Sequence, residues 1–299
     1  MAMIKKGGAH GLWKVLVQLT GSDGISYGIA GSGIADGVTT LPLVLDYPKQ
    51  SNIPLPDRTT IDFTGGDTWI TSFQYGMTSL GSFEFTMQDL DADLIALVTG
   101  TNVNQVTNDE WTELTEDPMA EDRPQVSLMF IYRMQSFEVA TFGQTYYIQT
   151  VVPRCWCAPK GLQNAPAFQS AGDYAFQVTP SSAGRRLNGE PFSTNLGATN
   201  NTLSHYHLIS ANPLYMATHR VTGTDASIIG AYEPISSVVG SAGSTKCHLV
   251  KYVVATDTAT QGVADTITTA TATIAVGTAL TVAATNVLTA LYETAYVAV

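Results

Sequence analysis

The chain has 299 residues, of which 44% are hydrophobic and only 13% are charged, and its formal net charge is −11. Globular domains usually carry about 25% charged residues, so this composition indicates either a surface covered by neighbouring subunits or a Thr-rich β protein with little charge. Fourteen scattered Lys and Arg residues in an acidic chain argue against sequence-specific binding of nucleic acid.

The N-terminal part predicts one strand and then a long connecting loop. The strand covers Trp13–Leu19, and no apolar stretch near it is long enough for a signal peptide. The loop covers residues 37–58 and combines four prolines with many apolar side chains, which a compact monomer would expose. Either a neighbouring subunit covers this loop, or the loop folds back onto its own core.

Residues 60–100 carry the clearest pattern in the chain. Gly65-Gly66 predicts a tight turn between two alternating strands, Ile61–Phe63 and Trp69–Tyr75, and a third alternating strand begins at Phe83. A short helix over Leu94–Val98 is predicted to follow directly. This order indicates a β fold with a helix on its flank.

Three aspartates precede that helix. Asp89, Asp91 or Asp93 can accept the first free N–H groups of the helix, and negative charge there is also favoured by the helix dipole. Their alternate spacing resembles a calcium loop, but Leu94 and Gly100 stand where an EF-hand needs glycine and glutamate. The pattern therefore favours helix capping.

The acidic residues are concentrated in one block. Eleven acids and no Lys or Arg lie between Glu84 and Asp122. Such a block repels phosphates, although a solvated helix end and a solvated loop would have the same composition. Residues 102–123 lack periodicity and are predicted to form a loop.

Strands are predicted again over Val126–Met134, Thr145–Val152, Arg154–Ala158 and Tyr174–Val178. Cys155 and Cys157 fall in one of these strands and should share a face. An odd total of three cysteines argues against a disulfide framework and favours reduced, buried thiols. A zinc site that used Cys247 as third ligand would lack an indicated fourth.

The composition changes after a polar stretch near residues 181–202. We predict a β domain over 1–204 and a C-terminal β extension or small surface domain over 205–299. The uncharged run Thr266–Tyr292 contains nine threonines and alternating apolar residues, so it is read as strands, two of them around Gly277, and not as a membrane-spanning helix.

The residues with catalytic or metal-binding chemistry form no convincing group. His205 and His207 share one side of a predicted strand, but zinc would need further ligands. No GxSxG, HExxH or phosphate-binding loop occurs, and no pair of acids stands out for glycoside hydrolysis. We therefore predict no enzyme activity, no cofactor and no metal.

The order of these pieces resembles the major tail tube proteins of long-tailed bacteriophages. The resemblance covers residues 12–195 and is carried by the proline loop TTLPLVLDYPKQSNIPLPD, the strands and helix TIDFTGGDTWITSFQY and GSFEFTMQDLDADLIALVTG, and the closing strands VVPRCWCAPKG and AGDYAFQVTPSSAGRRLNGEPF. It is a resemblance of order and pattern, without an invariant motif. Some members of that family carry an added C-terminal domain.

The resemblance implies a mainly β fold, an antiparallel β-sandwich or barrel with one short flanking helix. In the oligomer, strands of each subunit would join a ring-wide inner β-barrel. It implies a non-enzymatic virion protein, assembled in the host cytoplasm, whose hexameric rings stack into a tail tube. Its partners would be further copies of itself, the tape measure protein, the tail terminator and the distal tail proteins. DNA would pass without specific contacts, and no membrane would be involved.

The expected roles of individual residues follow from this resemblance. Apolar residues of the proline loop would contact the next ring: Leu41, Leu43, Leu45, Ile53 and Leu55. Aromatic and aliphatic residues would pack the sheet against the helix: Trp69, Phe73, Phe83, Phe85, Leu94 and Leu97. Acids would line the lumen or a loop: Glu84, Asp89, Asp109, Glu110 and Glu113. The alternatives are another virion β protein, for capsid decoration or host binding, and a carbohydrate-active β enzyme.

Overall fold

The structure is a computed structural model. It describes residues 7–21, 24–27, 39–40, 42–46, 48–51, 53, 58–65, 68–76, 81–88, 91–99, 102–105, 112–115, 123–139, 142–163, 173–181, 185–189, 204–222, 228–229, 248–254, 265–268, 273–275 and 287–295.

Within these residues the chain forms twenty strands and one helix. The strands are β1 (Gly7–Thr20), β2 (Ser26–Tyr27), β3 (Thr39–Thr40), β4 (Leu43–Leu45), β5 (Pro48–Ser51), β6 (Arg58–Gly65), β7 (Thr68–Gly76), β8 (Phe83–Met87), β9 (Asn102–Gln105), β10 (Thr112–Thr115), β11 (Val126–Ser136), β12 (Thr145–Gln163), β13 (Asp173–Pro180), β14 (Tyr206–Ser210), β15 (Leu214–Thr222), β16 (Ile228–Ile229), β17 (His248–Val254), β18 (Asp265–Thr268), β19 (Thr273–Ala275) and β20 (Val287–Ala295). The helix is α1 (Ala92–Thr99). The prediction of a mainly β, antiparallel fold with one short helix is confirmed for the described residues.

A nine-stranded antiparallel sheet forms the body of the molecule. Its strands run in the order β2-β1-β11-β12-β13-β8-β5, with β4 added beside β1 and β14 beside β12. The centre of this sheet is buried on both faces, because six successive residues of β11, Val126–Ile131, are buried. Since successive side chains of a strand point to opposite faces, both faces must be covered by other parts of the chain.

One face carries the main hydrophobic core. Phe85 stacks on Phe176 with ring centroids 5.1 Å apart, and Phe83 and Phe85 both meet Phe130 edge-on at 5.7 and 5.6 Å. These arrangements are the ones that aromatic quadrupoles favour. Leu94 of α1 is fully buried in the same core, so the helix closes this face of the sheet.

The start of α1 is set by an aspartate. The Oδ1 atom of Asp91 accepts the N–H of Leu94 at 3.0 Å, which is the usual N-cap bond to the third helical residue. At the other end, the hydroxyl of Thr99 donates to the carbonyl of Ile95 at 2.6 Å. The helix begins two residues before the predicted Leu94, because the cap lies at Asp91.

The strand β12 is continuous where two separate strands were predicted. It runs through Pro153 and Pro159, and the register shifts beside each of them, between the partners Val126 and Leu128 on β11 and between Pro159 and Gly161. Proline has no N–H to donate, so it is tolerated in a strand where a bulge removes the need for that bond. The prediction of a break at Pro153 is therefore wrong.

The proline segment over residues 37–58 contains three short strands where a loop was predicted. β3 pairs with β15, β4 pairs with β1, and β5 pairs with β8. Each of these three strands pairs at the edge of a sheet. Pro48 is the first residue of β5, a position where a strand tolerates proline. The segment is thus attached to its own subunit at three places.

Two other predicted connections also differ. Residues 102–105 and 112–115, predicted as loop, pair as the antiparallel strands β9 and β10, which are too short for a period of two to be visible in the sequence. The predicted strand before Gly277 is instead the hairpin of β18 and β19, with Thr268 opposite Thr273. Gly277 itself lies outside the described residues.

The predicted hairpin at Gly65-Gly66 is confirmed by the pairing of β6 with β7.

A second, seven-stranded sheet has the order β16-β19-β18-β17-β20-β15-β3. Its strand β15 lies against the other face of the large sheet, and two buried glutamines hold it there. Gln149 donates to the carbonyl of Leu214 at 2.7 Å and accepts the Leu214 N–H at 3.0 Å. Gln18 likewise donates to the carbonyl of Met216 and accepts the Met216 N–H at 3.2 Å. Each side-chain amide thus replaces a partner peptide along the border of β15.

We predict that Gln149→Leu lowers the free energy of unfolding by about 2–4 kcal/mol, because it leaves the N–H and the carbonyl of Leu214 buried without partners. Gln149 is fully buried, whereas Gln177 on β13 is partly exposed, so Gln177→Leu is the matched control and should change stability by less than about 0.5 kcal/mol. Urea unfolding followed by circular dichroism measures both. Equal losses in the two variants would contradict this role of Gln149.

Candidate assembly surface

The most exposed apolar residues of the described chain lie at the end of the hairpin that joins β11 to β12. Phe137 is 56% exposed, Val139 is 99% exposed and Phe142 is 75% exposed. We call these three residues the apolar tip. Single exposed apolar side chains are common, but three large ones within six positions of one hairpin mark a surface suited to binding.

The base of this hairpin is ordered by hydrogen bonds. The Ser136 N–H donates to the carbonyl of Gln144 at 3.1 Å, and the Gly143 N–H donates to the carbonyl of Ser136 at 3.1 Å. The Ser136 hydroxyl accepts the N–H of Glu138 at 3.2 Å. Gly143 has φ 78°, a conformation that glycine adopts without strain. These bonds fix the backbone at the base of the hairpin, beside Phe137 and Phe142.

Strand β1 supports the hairpin from one side. A Cβ atom on Gly8 would lie 2.8 Å from the Cζ atom of Phe137, so the aromatic ring rests directly on the glycine backbone. Gly7 leaves the same kind of space for Met134, which is 3% exposed. The two glycines at the start of β1 thus let the base of the hairpin pack closely while the apolar tip stays in solvent.

Two further large apolar side chains of the described residues are exposed. Trp156 is 41% exposed and stands on β12 opposite Thr179, on the face away from the main core. Its neighbours Cys155 and Cys157 point to the other face and are buried. Ile209 of β14 is 52% exposed and lies opposite Ile148.

Where the structure describes them, the residues predicted to contact the next ring pack against the core of their own subunit. Leu45 is 1% exposed and belongs to the main core, and Leu43 and Ile53 are partly buried against that core. Leu41 and Leu55 lie outside the described residues. This packing favours the alternative that the sequence left open, in which the segment folds back onto its own subunit.

The residues predicted to join sheet and helix are found in two places. Phe83, Phe85 and Leu94 are buried in one core, with Leu97 packed against it. Trp69 and Phe73 lie on β7, for which the structure describes the backbone pairing with β6. Their side-chain contacts lie outside the described residues.

Of the acids predicted for the lumen, Glu84 is the one whose side chain the structure describes. It projects from β8 on the face away from the core and forms an ion pair with Lys160. Glu113 lies on β10 opposite Asn104. Asp89, Asp109 and Glu110 lie outside the described residues.

The histidine pair lies where β14 joins the large sheet. The rings of His205 and His207 meet edge-on with centroids 5.4 Å apart, and Nδ1 of His207 lies 3.1 Å from the Thr150 hydroxyl. Nδ1 of His205 is buried and has no hydrogen-bond partner among the described residues. Burial lowers the pKa of His205, with a smaller effect of the neighbouring His207, and burial also lowers the pKa of His207.

The described residues contain no group of three or more side chains able to hold a metal ion. Cys155 and Cys157 are free and buried, as predicted, and burial raises the pKa of Cys157 to about 12. A thiol with so high a pKa carries almost no thiolate at neutral pH, so it is a poor nucleophile and a poor metal ligand. Among the described residues, no helix is long and apolar enough to span a membrane.

The patterns in the sequence did not predict a role for Phe137, Val139 and Phe142. Their segment, SFEVATFGQT, does contain a signal: three large apolar residues stand between two strongly patterned strands, where turn residues are expected. Gln18 and Gln149 were missed as well, because a glutamine inside an apolar strand does not reveal its partner.

Comparison with known proteins adds no family to this description. No protein-family model and no curated protein sequence matches the chain. The surfaces described above are therefore the basis for a proposal about its function.

The histidine pair generates a prediction about pH. Both pKa values are lowered in the folded state from 6.5, so below about pH 6.5 the unfolded chain binds more protons than the folded one and stability falls on acidification. The double variant His205→Asn/His207→Asn should lose less stability than the parent chain between about pH 7.5 and about pH 5.5. Urea unfolding at a series of pH values measures this, and equal slopes for both proteins would contradict the prediction.

Proposed function

We propose that the chain is a structural virion protein, the tail tube subunit of a long-tailed bacteriophage. Its hexameric rings would stack into a tube that holds the tape measure protein and conducts DNA. The observation that carries the proposal is an ordered apolar tip on a subunit whose own core is already closed. Most of this surface is exposed in the subunit and is available for a neighbour.

The arrangement of strands supports assembly through the sheet as well. β14 pairs with β12 along one border, and none of the described strands pairs with its other border. A border strand of a sheet can pair with a strand from another chain. Closing a ring of identical subunits is one way in which such borders disappear.

The charge balance fits passive conduction of DNA. The chain carries 25 acids against 14 Lys and Arg residues, so its field repels phosphates. Tight binding to DNA requires many Lys and Arg contacts to the backbone, whereas a tube that lets DNA slide must avoid them. An acidic, weakly charged wall suits this role.

The proposal is tested by negative-stain electron microscopy of the purified full chain, together with light scattering over a range of concentrations. We expect rings with six-fold symmetry and tubes built from stacked rings. Particles of three copies with no tubes would instead support a capsid-decoration or host-binding protein. A monomer at every concentration would contradict self-assembly altogether.

A further inference from the structure

We propose that the apolar tip of one subunit seats on the surface around Trp156 of the next subunit, in a head-to-tail contact. We call this second surface the Trp156 patch; it consists of Arg154, Trp156 and Thr179. The inference rests on the proposed function as a self-assembling subunit, and it names the two surfaces that meet.

The two surfaces lie at different positions along β12. The apolar tip precedes Thr145, the first residue of the strand, and Trp156 follows eleven residues later. At about 3.3 Å per residue this places them roughly 35 Å apart, on distant parts of one subunit. Two different and distant surfaces that fit each other produce a head-to-tail contact, which yields rings where the rotation closes.

The chemistry of the two surfaces is complementary. The apolar tip presents two phenylalanines and Trp156 presents an exposed indole, and aromatic rings attract each other edge-on or offset-stacked. One acid, Glu138, stands between Phe137 and Val139 of the tip. The patch carries one base, Arg154, which shares a face with Trp156 because the two are two residues apart in β12.

Arg154 is held in place from within its own subunit. Its Nε donates to the side-chain oxygen of Gln125, and its carbonyl accepts the Ser181 N–H at 2.9 Å. Arg154 as a whole is partly exposed, and its guanidinium has further N–H donors besides Nε that a carboxylate could accept from. The pairing of Glu138 with Arg154 would set the register of the contact.

The area involved explains why a ring would be needed. From the exposed fractions of Phe137, Val139 and Phe142, the apolar tip offers about 400 Å² of surface. Stable complexes bury about 800 Å² on each partner. One tip on one patch is therefore too small for a tight dimer, whereas in a closed ring every subunit uses both surfaces and other contacts add to them.

A lipid surface is the other occupant that an apolar hairpin tip suits. Membrane-binding segments combine apolar residues with Lys or Arg, which attract anionic headgroups. The segment from Phe137 to Gln144 contains Glu138 and no Lys or Arg, and the whole chain is acidic. An anionic lipid surface therefore offers no charge partner for the tip segment, whereas the Trp156 patch of a second copy offers Arg154.

The test uses the full chain and four variants. Phe137→Ser/Phe142→Ser removes the rings of the tip, and Val139→Asp adds a charge at a fully exposed position without touching the base of the hairpin. Trp156→Thr removes the indole of the patch. Gln88→Ser is the control, because Gln88 is exposed and lies outside both surfaces and outside the border strand β14. Circular dichroism and urea unfolding establish that each variant is folded.

We expect the two tip variants and Trp156→Thr to raise the concentration at which the protein associates by at least about tenfold, the effect of losing a central aromatic contact. Gln88→Ser should associate like the parent chain. Mixing Phe137→Ser/Phe142→Ser with Trp156→Thr restores one contact per pair, because the intact patch of the first accepts the intact tip of the second, so a weak dimer of one copy each should form at high concentration where neither variant alone associates. Light scattering measures all of these.

Three results would overturn the inference. The first is unchanged association of a folded tip variant, and the second is a mixture of the two folded variants that associates no more than either variant alone at the highest concentration reached. The third is a parent chain that remains monomeric and binds vesicles of anionic phospholipid through its tip. If the parent chain forms particles without six-fold symmetry and both surfaces are still required, the contact stands and the tail tube function is wrong.

Discussion

The fold depends on a sheet whose centre is buried on both faces. The six buried residues of β11 can lie in that centre only if two separate layers cover them. On one side the cover is α1 together with the aromatic residues of β8 and β13. On the other side it is β15, which brings Met216 to the sheet and is held by Gln18 and Gln149. Removing either layer would expose apolar surface worth about 25 cal/mol per Å².

Burial and backbone pairing, and not charge, hold these layers together. The described chain has three ion pairs, Lys14–Asp46, Lys49–Asp173 and Lys160–Glu84, and each has at least one substantially exposed partner. Exposed pairs of this kind contribute only about 0–1 kcal/mol. The low charge content noted in the sequence therefore costs the fold little, and it leaves surfaces that other proteins can cover.

Local patterns in the sequence predicted the elements whose causes are local. The hairpin at Gly65-Gly66 depends on a turn of neighbouring residues, and the helix after Asp91 depends on one cap. What the sequence did not reveal depends on distant partners. β4 and β5 form because β1 and β8 offer borders to them, and a proline at the first position of an added strand is harmless there. Gln149 is a buried polar residue whose partner, the backbone of Leu214, lies 65 residues later in the chain, so only the fold shows the reason for it.

The apolar tip could be predicted only in part, for a related reason. Its residue types are visible in the sequence, but a phenylalanine between two strands can equally fold back onto the sheet. The turn at Gly143 and the packing of the Phe137 ring on Gly8 fix the base of the hairpin, and Phe137 and Phe142 are still 56% and 75% exposed. A hairpin whose base is fixed in this way has less backbone freedom to lose on binding, so more of its contact energy would appear as affinity. Preorganisation of this kind is what a subunit needs when each single contact is small and the same contact is repeated around a ring.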